Sequence, residues 1–188
     1  MASSSEKIIT PITTELLKLN PKTVLDVGFG YGKWGYIIRE YLEAWKDRID
    51  PKDWIINITG IDAWKPFSKL PWNIINYNKI IIGDALEEIK KLGNYELVII
   101  TDVLEHLIKG RSIELFEECL KRANRCFITS IPIGKVWLHN KIVYDNPYNA
   151  HKCIWEIEEI KKYNPTKLTT VKGVRGDIAI AIFKGGNK

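Results

Sequence analysis

Asp26, Asp62, Asp84 and Asp102 share one placement in this chain: each stands within or just past the end of an apolar, β-branched run. An ionised carboxylate only accepts hydrogen bonds, so such groups suit ligands that present hydroxyls, amines or positive charge. An unpaired buried charge costs on the order of several kcal/mol, so four carboxylates at four run ends predict a shared cleft rather than a core. Glu105 and His106 follow Asp102 closely, and His151 comes later in the chain. A histidine titrates near neutrality and can take a proton from a hydroxyl or a protonated amine, which makes His106 and His151 candidate general bases. Glu105 could orient either one or bind a polar acceptor. A packed, purely structural histidine is the alternative at each position.

The segment Lys22 to Gly35, KTVLDVGFGYGKWG, holds the clearest ligand-binding signal. A β-branched strand runs into Gly28, Gly30 and Gly32, and an amphipathic helix follows at once. Without a Cβ, glycine lets backbone approach a ligand, and the first N–H groups of a helix have no partners of their own. Gly28, Gly30 and Gly32 spell G-x-G-x-G, while Gly30, Gly32 and Gly35 spell the dinucleotide fingerprint G-x-G-x-x-G. The dinucleotide version needs its first glycine to end the strand. Val24 to Val27 is the strand here and Gly28 its first breaker, so the register favours the first version. Asp26, two residues before Gly28, suits a loop that faces a cationic or hydroxyl-bearing ligand better than a pyrophosphate.

The elements that must position these groups alternate. Thr10-Pro11 reads as the start of a short helix stopped by Asn20-Pro21, lying across the cofactor side. From Lys33, Trp34, Ile37, Ile38, Tyr41, Leu42 and Trp45 form one helical stripe. Trp54 to Ile61 predicts the second strand, Lys79 to Ile82 the third, Glu96 to Thr101 the fourth and Cys126 to Ile131 the fifth. A helix with Leu86, Ile89 and Leu92 on one face precedes Gly93-Asn94. Another, from Arg111 to Ala123, buries Ile113, Phe116 and Leu120 and pairs Glu117 with Lys121 and Glu118 with Arg122 outside. Strands alternating with helices predict an open, mostly parallel sheet. Lys167 to Lys172 and Asp177 to Phe183 are separated by only Gly173 to Gly176, so they must pair antiparallel.

VLDVGFGYG, GDALEEI and TDVLEHL together resemble the motifs of class I S-adenosylmethionine (SAM) dependent methyltransferases. The resemblance covers roughly residues 22 to 131, and the terminal hairpin extends it in outline. It implies an α/β, Rossmann-like, doubly wound and mostly parallel seven-stranded sheet with a C-terminal antiparallel hairpin, in the order 3-2-1-4-5-7-6. It implies SAM as cofactor, with Asp26, Gly28, Gly30 and Gly32 around its methionine portion. Asp62 would take the ribose hydroxyls with Ala63 and Trp64 beside it, Asp84 and Ala85 would take the adenine edge, and Asp102 would lie near the amino-acid end. Trp64 or Leu86 could cover the ring. Asp84 also suits a helix N-cap. Glu105 and His106 would face the acceptor. Two features depart from the pattern: Gly30 and Asp62 stand 32 residues apart, implying a longer helix or an added loop, and no N-P-P-Y-type sequence follows the fourth strand.

Asn146-Pro147-Tyr148 reads as a turn. The stretch 132–155, with Trp137, His139, Tyr144, Tyr148, His151 and Trp155, has no periodicity and reads as a lid or acceptor-binding loop. At 188 residues the chain predicts one domain spanning 1–188, with 1–20 as an N-terminal helical segment. No signal peptide or membrane span is read, so a cytoplasmic, soluble protein is expected, monomer or homodimer. Cys119, Cys126 and Cys153 lack metal-ligand spacing, and neither a disulfide nor a metal is expected. Residues 121–188 carry 13 basic and 5 acidic groups, a bias that a nucleic acid could exploit. The leading function is methyl transfer to a small-molecule O or N acceptor. RNA or DNA methylation, an NAD-dependent oxidoreductase and a non-catalytic SAM-binding protein are the alternatives.

Overall fold

A computed structural model describes residues 4–139 and 145–186. Tyr144, named above for the lid, lies outside them. Seven strands form one sheet in the order β3-β2-β1-β4-β5-β7-β6. They are β1 (Thr23–Val27), β2 (Asn57–Asp62), β3 (Lys79–Ile82), β4 (Tyr95–Thr101), β5 (Ala123–Pro132), β6 (Lys167–Lys172) and β7 (Asp177–Lys184). β1 pairs parallel with β2 and β4, β2 with β3 and β4 with β5, while β7 runs antiparallel between β5 and β6. The strand order reverses between β1 and β4, where an open α/β sheet leaves a crevice at its carboxyl ends.

Helices cover both faces, which is why the central strands are apolar on both sides. In β7, Ile178, Ile180 and Ile182 face one core and Ala179, Ala181 and Phe183 the other. The first core takes helices α1 (Ile9–Leu19) and α2 (Lys33–Leu42) through Ile12, Leu16, Trp34 and Ile38. The second takes α4 (Ala85–Lys90), α5 (Lys109–Arg122) and α6 (Ile157–Lys161), and a short helix α3 (Pro71–Asn76) precedes β3. The edge strand β6 carries lysines at both ends and two exposed threonines, side chains that discourage further strand pairing. Among the described residues no helix is long and apolar enough to cross a membrane.

Several boundaries differ from the sequence reading. The first helix begins at Ile9, after a 3-10 turn over Glu6–Ile8 capped by Ser5. Pro11 still sits in the first turn, a place where a missing N–H costs nothing, and so it does not mark the start. α2 ends at Leu42, which leaves Trp45 outside the stripe, 67% exposed and with its ring against Tyr41. The extra length between Gly30 and Asp62 is an added loop, residues 43–56, with two 3-10 turns. Trp54 belongs to that loop and lies under the Arg39 guanidinium, 4.3 Å from its ring centre. In α5 the fully buried face is Leu115, Phe116 and Cys119, with Ile113 and Leu120 at its margin. Glu118 pairs with Arg122, but Glu117 accepts the Tyr163 hydroxyl rather than pairing with Lys121.

Two buried polar networks fix the frame around the glycine turn. Arg39 donates to the carbonyls of Asn76 and Ile56 and to Asn78 Oδ1, at 2.8–3.0 Å. Its neighbour Glu43 is wholly buried and accepts from Ile55 N, Ile56 N and Arg48. This pair locks the added loop to α2 and to the approach of β3. Nearby, the Tyr77 hydroxyl donates to Asp26 Oδ2 at 2.6 Å and accepts from Gly35 N at 3.2 Å. Asp26 Oδ1 is buried without a partner. Burial pushes the Asp26 carboxyl up to about 7, opposed by the Tyr77 hydrogen bond and aided by Asp62.

Removing one member of a buried ion pair strands the other, so Glu43→Ala is expected to destabilise the fold by about 3–5 kcal/mol in urea melts. Asp26 gives a pH dependence of defined sign. Between about pH 4 and about pH 7 the unfolded chain ionises this carboxyl while the folded one holds its proton. Folding therefore loses stability as pH rises through that window, on the order of 4 kcal/mol in all. Asp26→Asn should remove this component. The test is the difference between the two urea midpoints from pH 4 to pH 8; a constant difference would show that Asp26 is not its source.

Candidate functional site

The backbone after β1 is built from glycine conformations. Gly28, Gly30 and Gly32 all have positive φ, at 74°, 52° and 77°, in the left-handed region where other residues are strained. At Gly28 space adds to the demand, because a Cβ would come within 2.2 Å of Val103 Cγ2. At Gly30 a Cβ would find no atom nearer than 3.9 Å; its backbone borders open space. Gly28 N donates to Ile61 O at 2.7 Å and Gly30 N to Asp62 Oδ2 at 2.9 Å, so the end of β2 holds the turn.

That space is a cavity of about 620 Å³ at the carboxyl ends of the parallel strands. Gly28 and Gly30, Asp62 and Ala63, Asp84 and Ala85, and Asp102 line it together with Glu105, His106 and His151. Asp26, Gly32 and Trp64 do not. Asp26 lies beneath the turn against Tyr77, Gly32 is the N-terminal boundary residue of α2, and Trp64 packs edge-on to Phe67. The sequence could place these residues beside the cleft, but only packing decides which of them face it.

Each lining carboxylate is held differently. Asp62 is 9% exposed and accepts Gly30 N on one oxygen and Trp64 N, at 2.8 Å, on the other. Burial raises its pKa against these two amide donors. Each oxygen keeps a further lone pair for a ligand hydroxyl. Asp84 caps α4, accepting Leu86 N and Glu87 N, and also takes Arg111 at 2.8 Å. The cap and the cavity position coexist. Asp102 has φ 53° and accepts the Ser130 hydroxyl at 2.9 Å. A non-glycine residue in that conformation is uncommon, and short acidic side chains tolerate it best. Burial raises the Asp102 carboxyl, opposed by hydrogen bonds from Ser130 and Ser4 and by the charge of Lys33.

Past Asp102, a 3-10 turn over Leu104–His106 carries the acceptor-side candidates. Glu105 is 2% exposed and neither carboxylate oxygen accepts a hydrogen bond; burial and the nearby Asp102 charge push its pKa well up. His106 Nδ1 lies 3.1 Å from Ala150 O, and a carbonyl can only accept, so Nδ1 carries the proton and Nε2 the lone pair. Burial lowers His106 to about 4 and His151 to about 3, which makes both rings neutral at neutral pH. His151 stacks on His139, ring centres 4.3 Å apart, and meets His106 edge-on at 4.8 Å. All three histidines of the chain thus sit together.

The stretch 132–155 divides. Trp155 is core: it is 1% exposed, packs on Phe116 and donates to Ser112 Oγ at 2.9 Å. Lys152 N and Cys153 N both donate to Glu105 O, at 2.7 and 3.1 Å, tying this segment to the 3-10 turn. Trp137, His139, Tyr148 and His151 do line the cavity, and Asn146 joins them from a turn in which its Oδ1 accepts Tyr148 N. The three cysteines are free and buried.

Some lining residues had no signal in the sequence. Tyr31 and Phe67 meet at 4.9 Å on the cavity wall, one from the glycine turn and one from a 3-10 turn after β2. Lys33 holds Ser4 O at 2.8 Å, and Ser4 and Ser5 line the cavity ahead of α1, whereas the helix itself packs on the sheet. Val174 and Arg175 reach it from the β6–β7 turn. An apparent hairpin turn gives no hint of a ligand. Only the insertion of β7 beside β5 brings it there.

No protein-family model matches this sequence, and no curated protein matches it. Solved structures do. The magnesium protoporphyrin IX methyltransferase of Synechocystis PCC 6803 with bound SAH is 14% identical at TM-score 0.67, over 94% of this chain and 81% of that one; it is also solved with bound SAM. TehB from Haemophilus influenzae is 13% identical at TM-score 0.70, over 96% and 63%. A SAM dependent methyltransferase from Archaeoglobus fulgidus is 19% identical at TM-score 0.62, over 96% and 94%. At these identities the likeness is one of architecture: the chain has the seven-stranded, Rossmann-like fold of the class I SAM-dependent methyltransferases.

Proposed function

We propose that this protein binds SAM and transfers its methyl group to an oxygen or nitrogen of a small-molecule acceptor. One observation carries the reading: the glycine turn and three separate strand-end carboxylates converge on a single cavity beside the switch point of this particular sheet. The residues fit a sulfonium nucleoside. Gly30 leaves room for close approach, Asp62 has lone pairs for sugar hydroxyls, and the amide of Ala85 with Asp84 offers an edge for an adenine. Bound there, SAM supplies a methyl group already activated by the positive sulfur.

The chain's own contribution is alignment and exclusion of water. Asp62 holds the turn while it binds. Asp102, with Lys33 and Ser4 nearby, suits an amino-acid end that carries both charges. At the acceptor end His106, with its proton on Nδ1, has Nε2 free to take a proton from an acceptor hydroxyl or amine. Glu105 and His151 are the other candidates there. Lys152 and Arg175 at the same cavity support a second reading, a nucleic-acid acceptor, which would show as oligonucleotide binding that weakens steeply with salt.

Two variants test the assignment. Asp62→Ala is expected to abolish calorimetric SAM binding and to lower stability by about 1–3 kcal/mol, because two amide donors lose their acceptor. Asp62→Asn keeps one acceptor oxygen and separates the two effects. Unchanged SAM affinity in both would remove Asp62 from the site. His106→Ala should slow transfer about 100-fold or more with SAM affinity within a few-fold of the parent, measured as labelled methyl incorporated once an acceptor is found. Equal rates would exclude it as the base.

A further inference from the structure

Glu105, His106 and His151 each offer one ligand atom, and these atoms lie within 4.8 Å of one another. We propose that the three side chains form a site for a divalent transition-metal ion at the acceptor end of the cavity. Glu105 and His106 are adjacent in the chain and His151 follows 45 residues after His106, so no short spacing motif announces the three together.

The need for a cation shows first at Glu105. Its side chain is 2% exposed, both oxygens are buried without a hydrogen bond, and His151 Nε2, on a neutral ring, stands 3.9 Å from Oε1. Native proteins seldom leave a buried carboxyl so bare, since desolvation goes uncompensated. A bound cation supplies what is missing, and relieves the repulsion between Glu105 and Asp102 as well.

The imidazoles are prepared in the way metal-binding histidines are. His106 donates Nδ1–H to a backbone carbonyl, which fixes its tautomer and leaves Nε2 as the donor atom, so with the ion bound His106 is a ligand and no longer the acceptor's base. His151 is held in plane by stacking on His139, and its backbone N donates to His139 O at 2.9 Å. An ion about 2.1 Å from each ligand requires those atoms to lie within about 4.2 Å of one another. The observed span must therefore close by roughly half an ångström, a movement that small side-chain rotations provide.

Two nitrogens and one carboxylate suit zinc, iron or manganese; magnesium and calcium prefer all-oxygen surroundings. Three protein ligands leave positions open, and all three residues line the cavity, so an open position faces the ligand space. Water would fill it in the empty cleft. An acceptor hydroxyl would replace that water, and only this last identification rests on the methyltransferase reading.

The test uses the full chain freed of metal by chelator and titrated calorimetrically with Zn2+, Mn2+ and Mg2+, and separately with SAM. One Zn2+ or Mn2+ per chain is expected, with no competition from equimolar Mg2+. Glu105→Gln and His151→Gln should each weaken binding about tenfold or more, while the SAM response and melting midpoint of the metal-free protein stay near the parent values. Absence of saturable binding in the parent, or affinity unchanged in both variants, overturns the site. Should either variant fail to fold, parent crystals soaked in Mn2+ decide: an anomalous peak among the three side chains supports the site and its absence refutes it. Ion binding without any SAM response would overturn the methyltransferase reading alone, and the reverse result would overturn the ion site alone.

Discussion

The carboxylate of Asp62 is the contact on which the cavity depends. One oxygen holds Gly30 and the other Trp64, so the turn after β1 and the turn after β2 are tied through a single side chain. Charge-assisted hydrogen bonds to backbone amides are among the stronger ones available, and here they are partly buried. That clasp adds to the backbone bonds from Gly28 N to Ile61 O and from Gly32 N to Phe29 O in fixing three glycines in left-handed conformations, and glycine loses the most entropy on ordering. The same residue that faces the ligand space therefore also shapes it, and binding and architecture share one group.

Polar groups that a stable core would avoid concentrate on this side of the sheet. Asp26 Oδ1 and both oxygens of Glu105 are buried without partners, Asp62 and Asp102 have carboxyls raised by burial, and Asp102 adopts a backbone conformation uncommon for its type. The second core, by contrast, is mainly aliphatic and aromatic, with Phe116 packed against Phe127, Trp155 and Phe183. Stability comes from one part of the fold and is spent in another, the distribution expected where structure maintains a site.

How much of this could be read from sequence follows from how local each feature is. The glycine turn, the sheet order implied by the motifs and the strand-end carboxylates are encoded within a few residues, and they emerged. The terminal hairpin was legible because four residues between strands permit no crossover. What escaped depends on distant partners. Asp26 carries an apparent ligand-binding position, yet Tyr77, 51 residues away, takes it out of the cavity. Trp45 continues a perfect helical period that Leu42 ends, because Glu43 turns aside to accept the amides of Ile55 and Ile56. Trp155, one of six chemistry-bearing residues in an aperiodic stretch, was indistinguishable by type from those that reach the cleft.

The grouping of the three histidines follows the same logic with a functional edge. Lys152 N and Cys153 N reach back to a single carbonyl, that of Glu105, and Ala150 O receives His106 Nδ1. Strand-like backbone bonding thus joins an aperiodic segment to the 3-10 turn after β4, and the bond to Glu105 O sets its side chain's neighbours. Further along, Trp155 and Ser112 anchor the segment to α5. Residues 150–155 are thus held at several points. The acceptor side of the cavity is accordingly preorganised around Glu105, and any ligand entering there meets a fixed arrangement of one carboxyl and neutral imidazoles rather than a surface that folds around it.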